Sequence, residues 1–268
     1  MSENEKVESA GGESRGKVDV FADYAPEIKV RTKKMLMWFI IFAVVMLFAG
    51  ITSALIVLWG KLYWLHVTPP PVLWASIVLV ALSSVTMVIG VRSVKRGNQQ
   101  MGLIMTALTF LLGLAFVFTQ NSGWNALSER GIGSTTTLNA QGLEATRWNP
   151  LGKVRGEYGK DYYITLKGEL LEMVNGEYYL ASDTSRSNPR TADVMSTFNA
   201  AGALLAVLIY VHILHLMFGL IYLVVNSVRI ARNRINRENW ISLYTGGMYW
   251  HFMGFLWIYL FFFMFFIY

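Results

Sequence analysis

The sequence predicts an all-α integral membrane protein: a bundle of five transmembrane helices with a small external antiparallel β-meander between helices 3 and 4. Of the 268 residues, 54% are hydrophobic and only 15% are charged, whereas a soluble domain carries about a quarter charged residues. Five apolar segments each reach the length of about 20 residues that a helix needs to cross the hydrocarbon core. Each is expected to be helical, because lipid offers no hydrogen-bond partner to backbone groups.

The five predicted spans cover residues 35–59, 72–91, 101–119, 198–228 and 246–268. Basic residues cluster before the first span, between the second and third, and between the fourth and fifth: Lys29, Arg31, Lys33, Lys34; Arg92, Lys95, Arg96; Arg229, Arg232, Arg234, Arg237. The positive-inside rule therefore predicts a cytoplasmic N-terminus and an external C-terminus. This placement explains the net charge of +6 without a nucleic-acid partner. The chain then divides into a polar cytoplasmic tail (1–34), helices 1–3 (35–120), an external loop (121–197) and helices 4 and 5 (198–268).

The external loop is predicted to end in a small sheet. Its second half reads YYITLKGELLEMVNGEYYLAS, in which Tyr- and Leu-rich runs are separated by Lys167-Gly168 and Asn175-Gly176. Asn-Gly is a strong signal for a two-residue hairpin turn. We therefore expect three antiparallel strands over about residues 162–181. A sheet this small is only marginally stable alone, so we expect it to dock on a partner subunit.

Acidic residues are absent from the predicted spans. No Asp or Glu occurs between Glu27 and Glu129, and the acids nearest to the last two spans are Asp193 and Glu238. Proton relays and ion carriers usually keep carboxylates inside the membrane, so the chain is a poor candidate for a pump or cation carrier. The spans instead carry small residues that suit close helix packing, which favours a scaffold: Ser83, Ser84, Thr86, Gly102, Gly113 and Gly219.

Two histidines, His212 and His215, lie near the middle of the fourth span in the stretch YVHILHLMFG. Being three residues apart, they share one helix face about 4.5 Å apart along the axis, so they cannot ligate the two sides of one haem. His251 is predicted nearer the cytoplasmic side, and His66 is farther away on the outside. Cysteine is absent, which excludes thiolate sites and disulfides. We therefore expect no metal or cofactor in this chain, and structural or lipid-contacting histidines.

The spans, taken in order, resemble subunit III of the haem–copper oxidases, a family that comprises cytochrome c oxidase and the related quinol oxidases. YVHILHLMFG matches the family's GFHGLHVxxG in its two histidines and its glycine, and YWHFMGFLWIYLF is similar to the family's YWHFVDVVWLFLF. Three further stretches resemble segments of the same family: MWFIIFAVVMLFAG, LWASIVLVALSSVT and GLAFVFTQ. The family often has seven helices, and this chain resembles the five-helix form.

The resemblance implies a non-catalytic subunit of a bacterial terminal oxidase in the inner (cytoplasmic) membrane, active in aerobic respiratory electron transport. Such a subunit stabilises subunit I and binds phospholipid, while haem and copper belong to subunits I and II. Nine residues are expected to contact lipid or to pack against other helices and subunits: His212, His215, Tyr249, Trp250, His251, Trp257, Ser83, Ser84 and Gln120. The external meander is a candidate contact with a larger respiratory assembly. The alternatives left open are a quinol oxidase subunit III, and a stand-alone b-type cytochrome or transporter.

Three positions depart from the family's pattern, and each lacks an expected carboxylate. Ala43 and Val44 replace the family's Ser-Glu pair, Gly123 stands where a glutamate is expected, and Gly254 where an aspartate is expected. A direct protonic role of those acids therefore does not carry over to this chain.

Overall fold

A computed structural model describes residues 25–59, 63–129, 157–196 and 200–267 of the chain. Five of its helices are long and apolar enough to cross a membrane, as the sequence predicts. The helices are α1 (Pro26–Trp59), α2 (Pro71–Lys95), α3 (Gln99–Glu129), α4 (Thr191–Ser196), α5 (Ala200–Ala231) and α6 (Ile241–Phe262), and a π-helical turn (Phe263–Ile267) follows α6. The strands are β1 (Tyr63–Val67), β2 (Tyr162–Leu166), β3 (Glu169–Val174) and β4 (Glu177–Leu180).

The helices extend beyond the predicted spans. α1 begins at Pro26 and therefore includes the last part of the predicted polar tail, α3 continues to Glu129, and α6 begins at Ile241. Hydropathy marks only the part of a helix that lies in hydrocarbon, whereas the backbone hydrogen bonds that define the helix continue through polar residues. The rest of the predicted tail and the first half of the external loop lie outside the described residues. The inside–outside orientation stays a prediction.

The tight connection between α2 and α3 is built by local sequence signals. Gly97 takes a positive φ of 89° just after α2, which a glycine adopts without steric penalty. Asn98 then caps α3, because its side-chain Oδ1 accepts a hydrogen bond from the Met101 backbone N–H at 3.0 Å. α2 and α3 form a close helical hairpin, in which the side-chain oxygens of Thr86 and Thr109 lie 2.8 Å apart.

α6 lies at the centre of the bundle and packs against α1, α2 and α5, while α3 packs against α2 and α5. Its buried residues divide between two apolar clusters. One cluster joins α6 to α2, α3 and α5 through residues such as Trp250 and Trp257. The other joins it to α1 through Val44, Phe48 and Leu55. Gly113 of α3 allows close packing against α5 and α6. A Cβ atom at this position would lie 2.8 Å from side-chain atoms of both Leu220 and Trp250.

The β-structure corrects the prediction of three strands. The three predicted strands form, but a fourth strand, β1, comes from the connection between α1 and α2, and the sheet order is β1-β2-β3-β4. β1 pairs antiparallel with β2, so that Trp64 lies opposite Thr165 and His66 opposite Tyr163. Sequence reasoning missed β1 because its partner lies about a hundred residues away, and no local turn signal joins them.

Both hairpins of the sheet use the predicted dipeptides. Lys167 and Asn175 each have a φ of 53°, and the glycines that follow them have φ values of 83° and 85°. Positive φ at both central residues matches the twist of a two-residue hairpin. The sheet also has its own small apolar core, made by Tyr63, Tyr162, Ile164, Leu171, Tyr178 and, from α4, Val194. β1 and α4 thus supply the support that three strands alone would lack.

Candidate functional site

Two tryptophans of α6 attach it to α2 through a matched pair of serines. Trp250 Nε1–H donates a hydrogen bond to Ser83 Oγ at 3.1 Å, and Trp257 Nε1–H donates to Ser76 Oγ at 3.1 Å. All four side chains are buried. A buried indole N–H in an apolar environment requires such a partner, so these bonds set the register of α6 on α2.

The four residues Ser76, Ser83, Trp250 and Trp257 are here called the serine ladder. Of these four, only Ser76 was not predicted from the sequence as a site residue. Ser83 in turn donates to the Val80 carbonyl oxygen at 2.8 Å, so its hydroxyl both accepts from the indole and donates to its own helix. The signal was present in the sequence as equal spacing: Ser76 and Ser83 are seven residues apart on α2, as Trp250 and Trp257 are on α6. Seven residues are close to two helical turns, which keeps both pairs on facing sides of the helices.

His212 is the most buried of the predicted site residues that carry a titratable group, with 2% of its surface exposed. Its ring stacks on Trp257 with 5.6 Å between ring centroids and meets the edge of Phe48 at 6.3 Å. Neither ring nitrogen has a hydrogen-bond partner among the described residues. The imidazole also lines a cavity of about 10 Å³ together with Ser83, Trp250 and Gly254. That volume is about what one water molecule requires.

His215 is held differently, although it lies on the same helix face. Its Nδ1–H donates to the Val211 carbonyl oxygen one turn earlier, at 2.7 Å, which leaves Nε2 as the acceptor nitrogen. The Tyr249 hydroxyl donates to the His215 backbone carbonyl at 3.0 Å, and the His215 ring meets Phe48 at 6.0 Å. His215 and Tyr249 are half-buried, so they form a seam between α5, α6 and α1 that is partly open at the surface.

His251 lies apart from this pair because it faces another direction. His251 is half-buried on α6, whereas His212 is buried against Trp257, which lies about a third of a turn around α6 from His251. His251 is the eleventh residue of α6, which begins at Ile241. In the part of the chain that the structure describes, no three His, Cys, Asp or Glu side chains are grouped so that they could hold a metal ion.

The remaining predicted site residues, Gln120 and Ser84, lie on α3 and α2. Gln120 is 7% exposed, and neither its amide nitrogen nor its amide oxygen has a partner among the described residues. Ser84 is half-buried and faces α6 next to Gly254, where a Cβ atom would lie 3.8 Å from the Ser84 Oγ. Ser84 therefore lies at a contact between α2 and α6, whereas Gln120 is buried within the chain.

The three positions at which the resemblance led us to expect carboxylates are apolar helix contacts. Val44 is 6% exposed and lies in the apolar cluster between α1 and α6. A Cβ atom at Gly123 would overlap the Leu73 side chain, and one at Gly254 would lie 2.8 Å from Val80 Cγ1. Any side chain at Gly123 or Gly254 therefore requires the facing side chain of α2, Leu73 or Val80, to shift.

The family model described as cytochrome c oxidase subunit III matches residues 170–268. The matched stretch begins in β3 and runs through α6, so it contains His212, His215 and the two tryptophans that bond to α2, whereas α1, α2 and α3 lie outside it. No curated protein matches the chain. The C-terminal part of the chain is thus similar to cytochrome c oxidase subunit III, and the described residues include five helices long enough to cross a membrane.

Proposed function

We propose that this chain is the non-catalytic subunit III of a bacterial haem–copper terminal oxidase, in the inner membrane, where it stabilises subunit I and binds phospholipid. The observation that carries the proposal is the family match over residues 170–268. Family membership implies association with other oxidase subunits and no metal centre in this subunit. Haem and copper are then held by subunits I and II, and this chain contributes packing surfaces.

The exposed surface of α1 supports a role in contacting a partner. Trp38, Phe39 and Phe42 are 61%, 69% and 63% exposed, which places three large aromatic side chains on one stretch of the helix. In a membrane such a surface is covered by lipid or by another protein, and association there depends on close packing, because lipid is as apolar as the side chains. We assign this aromatic face of α1 to subunit I.

The predicted lipid-contacting residues divide by burial into two groups. His212, Trp250, Trp257 and Ser83 are buried inside the chain, so we assign them to packing between its own helices, together with Ser84 and Gln120. His215, Tyr249 and His251 are half-buried, and we assign phospholipid contacts to them.

Deletion of the gene tests the proposed role in the complex. We expect the remaining oxidase to lose activity faster during sustained turnover, measured as oxygen consumption over time, because subunit I has lost a packed partner. Re-expression of the chain should restore the lifetime. Unchanged turnover stability and an undisturbed subunit I would contradict the proposal.

Purification in a mild detergent tests the partners and the cofactor assignment. We expect subunits I and II among the co-migrating proteins by mass spectrometry, with haem absorbance in the complex and none in this chain purified alone. A stoichiometric haem spectrum from the chain alone would favour a b-type cytochrome instead. Whether the complex oxidises cytochrome c or a quinol distinguishes the two branches of the family.

A substitution pair tests the assigned face of α1. Phe39→Ala with Phe42→Ala should weaken retention of subunit I, whereas Phe218→Ala with Ile221→Ala on α5 serves as the matched control, since those side chains are 59% and 57% exposed. Equal retention in both double variants would remove the assignment.

The external sheet is the remaining candidate contact surface. Tyr163 and Leu170 are 39% and 44% exposed, and we propose that they contact a larger respiratory assembly. Cross-linking from cysteines introduced at these positions should capture a second protein from the native membrane. Cross-links found only within this chain would contradict the idea.

A further inference from the structure

A small cavity lies in the interior of the bundle, where α2, α3, α5 and α6 meet. Its volume is about 10 Å³. Apolar side chains form much of its wall, among them Phe116 of α3, Leu216 of α5 and Met253 of α6. Two polar side chains line it as well, the His212 imidazole of α5 and the Ser83 hydroxyl of α2. The cavity is therefore not a purely apolar packing gap.

His212 brings unused hydrogen-bonding atoms to this cavity. The residue is 2% exposed, and neither Nδ1 nor Nε2 has a partner among the described residues. A neutral imidazole carries one donor nitrogen and one acceptor nitrogen. Buried polar groups of folded proteins nearly always have a partner, and the hydrocarbon around a membrane helix does not supply one. The ring therefore favours a bound molecule that can hydrogen-bond to it.

Ser83 brings an acceptor site to the same cavity. Its hydroxyl donates to the Val80 carbonyl oxygen at 2.8 Å and accepts the Trp250 Nε1–H at 3.1 Å. A hydroxyl oxygen has two acceptor lone pairs, so the second lone pair stays available for another donor. The bound molecule must therefore be able to donate to Ser83 as well as to hydrogen-bond to His212.

The volume and the polar groups together identify the molecule. It is uncharged, because no Asp or Glu occurs in the spans to balance a cation and no basic side chain lines the cavity to balance an anion. An isolated charge buried in such surroundings is very costly. A volume of about 10 Å³ holds about one water molecule, and a buried water needs at least two polar partners. His212 and Ser83 are two such partners, whereas an apolar cavity stays dry.

We propose that one water molecule occupies this cavity, donates a hydrogen bond to Ser83 Oγ and shares a second one with a ring nitrogen of His212. The water then links α5 to the serine ladder that joins α2 and α6. One hydrogen-bonded junction thus holds three helices, and it fixes the rotation of α5 against the other two. The junction uses only groups of this chain, so it does not depend on the complex that contains the chain.

Solid-state nuclear magnetic resonance of the full-length chain in lipid bilayers tests the proposal. The chain has only four histidines, so isotope-labelled histidine gives few ring signals. Magnetisation is transferred from water protons to the ring nitrogens, and the His212 signal is assigned as the one that His212→Phe removes. We expect a water cross-peak at His212, because the ring nitrogen is hydrogen-bonded to the buried water.

Ser76→Ala is the matched control for Ser83→Ala. Both serines accept an indole N–H, but of the two only Ser83 lines the cavity. Ser83→Ala should remove most of the His212 cross-peak, because the water loses one of its two partners, whereas Ser76→Ala should leave the cross-peak unchanged.

Three results would overturn the proposal: no water cross-peak at His212 in the wild-type chain, an unchanged cross-peak in Ser83→Ala, or equal loss in the two alanine variants. If a variant fails to fold, the wild-type spectrum still decides, since a dry cavity leaves the His212 ring without any contact to water.

Discussion

Gly254 offers the sharpest test of how α6 is packed, and the proposed perturbation is Gly254→Ala. A Cβ atom there would lie 2.8 Å from Val80 Cγ1, well inside ordinary van der Waals contact. Val80 is 8% exposed, and its carbonyl oxygen accepts the Ser83 hydroxyl that also receives the Trp250 N–H. The Val80 side chain is β-branched and has one strongly preferred χ1 rotamer in a helix, and its backbone is held by the Ser83 hydrogen bond, so Cγ1 has little freedom to turn away.

The expected magnitude combines two opposing effects. Overpacking a well-packed interior costs about 1–3 kcal/mol, whereas replacing glycine by alanine within a helix stabilises by about 1 kcal/mol. The net effect of Gly254→Ala is therefore a loss of about 0–2 kcal/mol in the free energy of unfolding. When Val80→Ala is also present the clash is removed, so Gly254→Ala should then be neutral or stabilising. The coupling energy between the two substitutions should be about 1–3 kcal/mol.

Equilibrium unfolding of the purified chain in mild detergent, followed by tryptophan fluorescence, measures these differences. Gly50→Ala is the matched control, because a Cβ atom at Gly50 meets nothing within 4 Å, and only the helix-propensity gain should remain. Gly254→Asp, which restores the family's carboxylate, should destabilise more than alanine, since it adds a larger group beside Val80. The reasoning is refuted if Gly254→Ala stabilises as much as Gly50→Ala, or if its effect is unchanged in the Val80→Ala background.

Three further predictions concern the serine ladder and the β-sheet. Ser83→Ala should lower the free energy of unfolding by about 1 kcal/mol, because the Trp250 N–H loses its acceptor. In the Ser83→Ala background, Trp250→Phe should lower it further only by the packing that the smaller ring loses, since no hydrogen bond remains to be broken. Asn175→Ala should destabilise the sheet by about 1 kcal/mol, because alanine tolerates the φ of 53° poorly. Hydrogen exchange of β3 and β4 measures this loss. Asn175→Gly is the control, since glycine adopts that φ freely. Burial raises the pKa of Tyr178 above its ordinary value near 10, so the folded sheet favours the neutral phenol. Its stabilising contribution is therefore complete below about pH 10 and is lost as the pH rises toward the folded-state pKa; an ultraviolet titration in which Tyr178→Phe removes no late-titrating phenolate would contradict this.

The five spans and both hairpin turns could be predicted because their signals are local. An apolar run long enough to cross a bilayer has few alternatives to a helix. Likewise, Asn175 and Gly176 carry their turn preference in their own backbone conformations. The helix ends and the strand β1 could not be predicted in the same way. The ends depend on hydrogen bonds that continue past the apolar residues, and β1 depends on a partner, β2, that is remote in the sequence.

The candidate site shows the same division. The sequence analysis named Trp250 and Trp257 of α6 as candidates for packing or lipid contacts, but not the serines that accept their N–H groups. It also predicted that His212 and His215 share one helix face, without distinguishing their environments. In the structure one ring is buried against Trp257, whereas the other hydrogen-bonds to its own helix and stays half-exposed.

The sequence by itself determined that this chain is a five-helix membrane protein, and that its spans lack carboxylates, because hydropathy and residue identity are properties of single segments. Only the tertiary structure decided what replaced the carboxylates: Gly123 and Gly254 are close contacts of α3 and α6 with α2. It also decided that Lys34 of α1 and Lys95 of α2 lie near the same two rings, those of Trp240 and Tyr244. The physical reason is that each helix has a rotation and a depth relative to its neighbours, and only packing among several helices at once sets both.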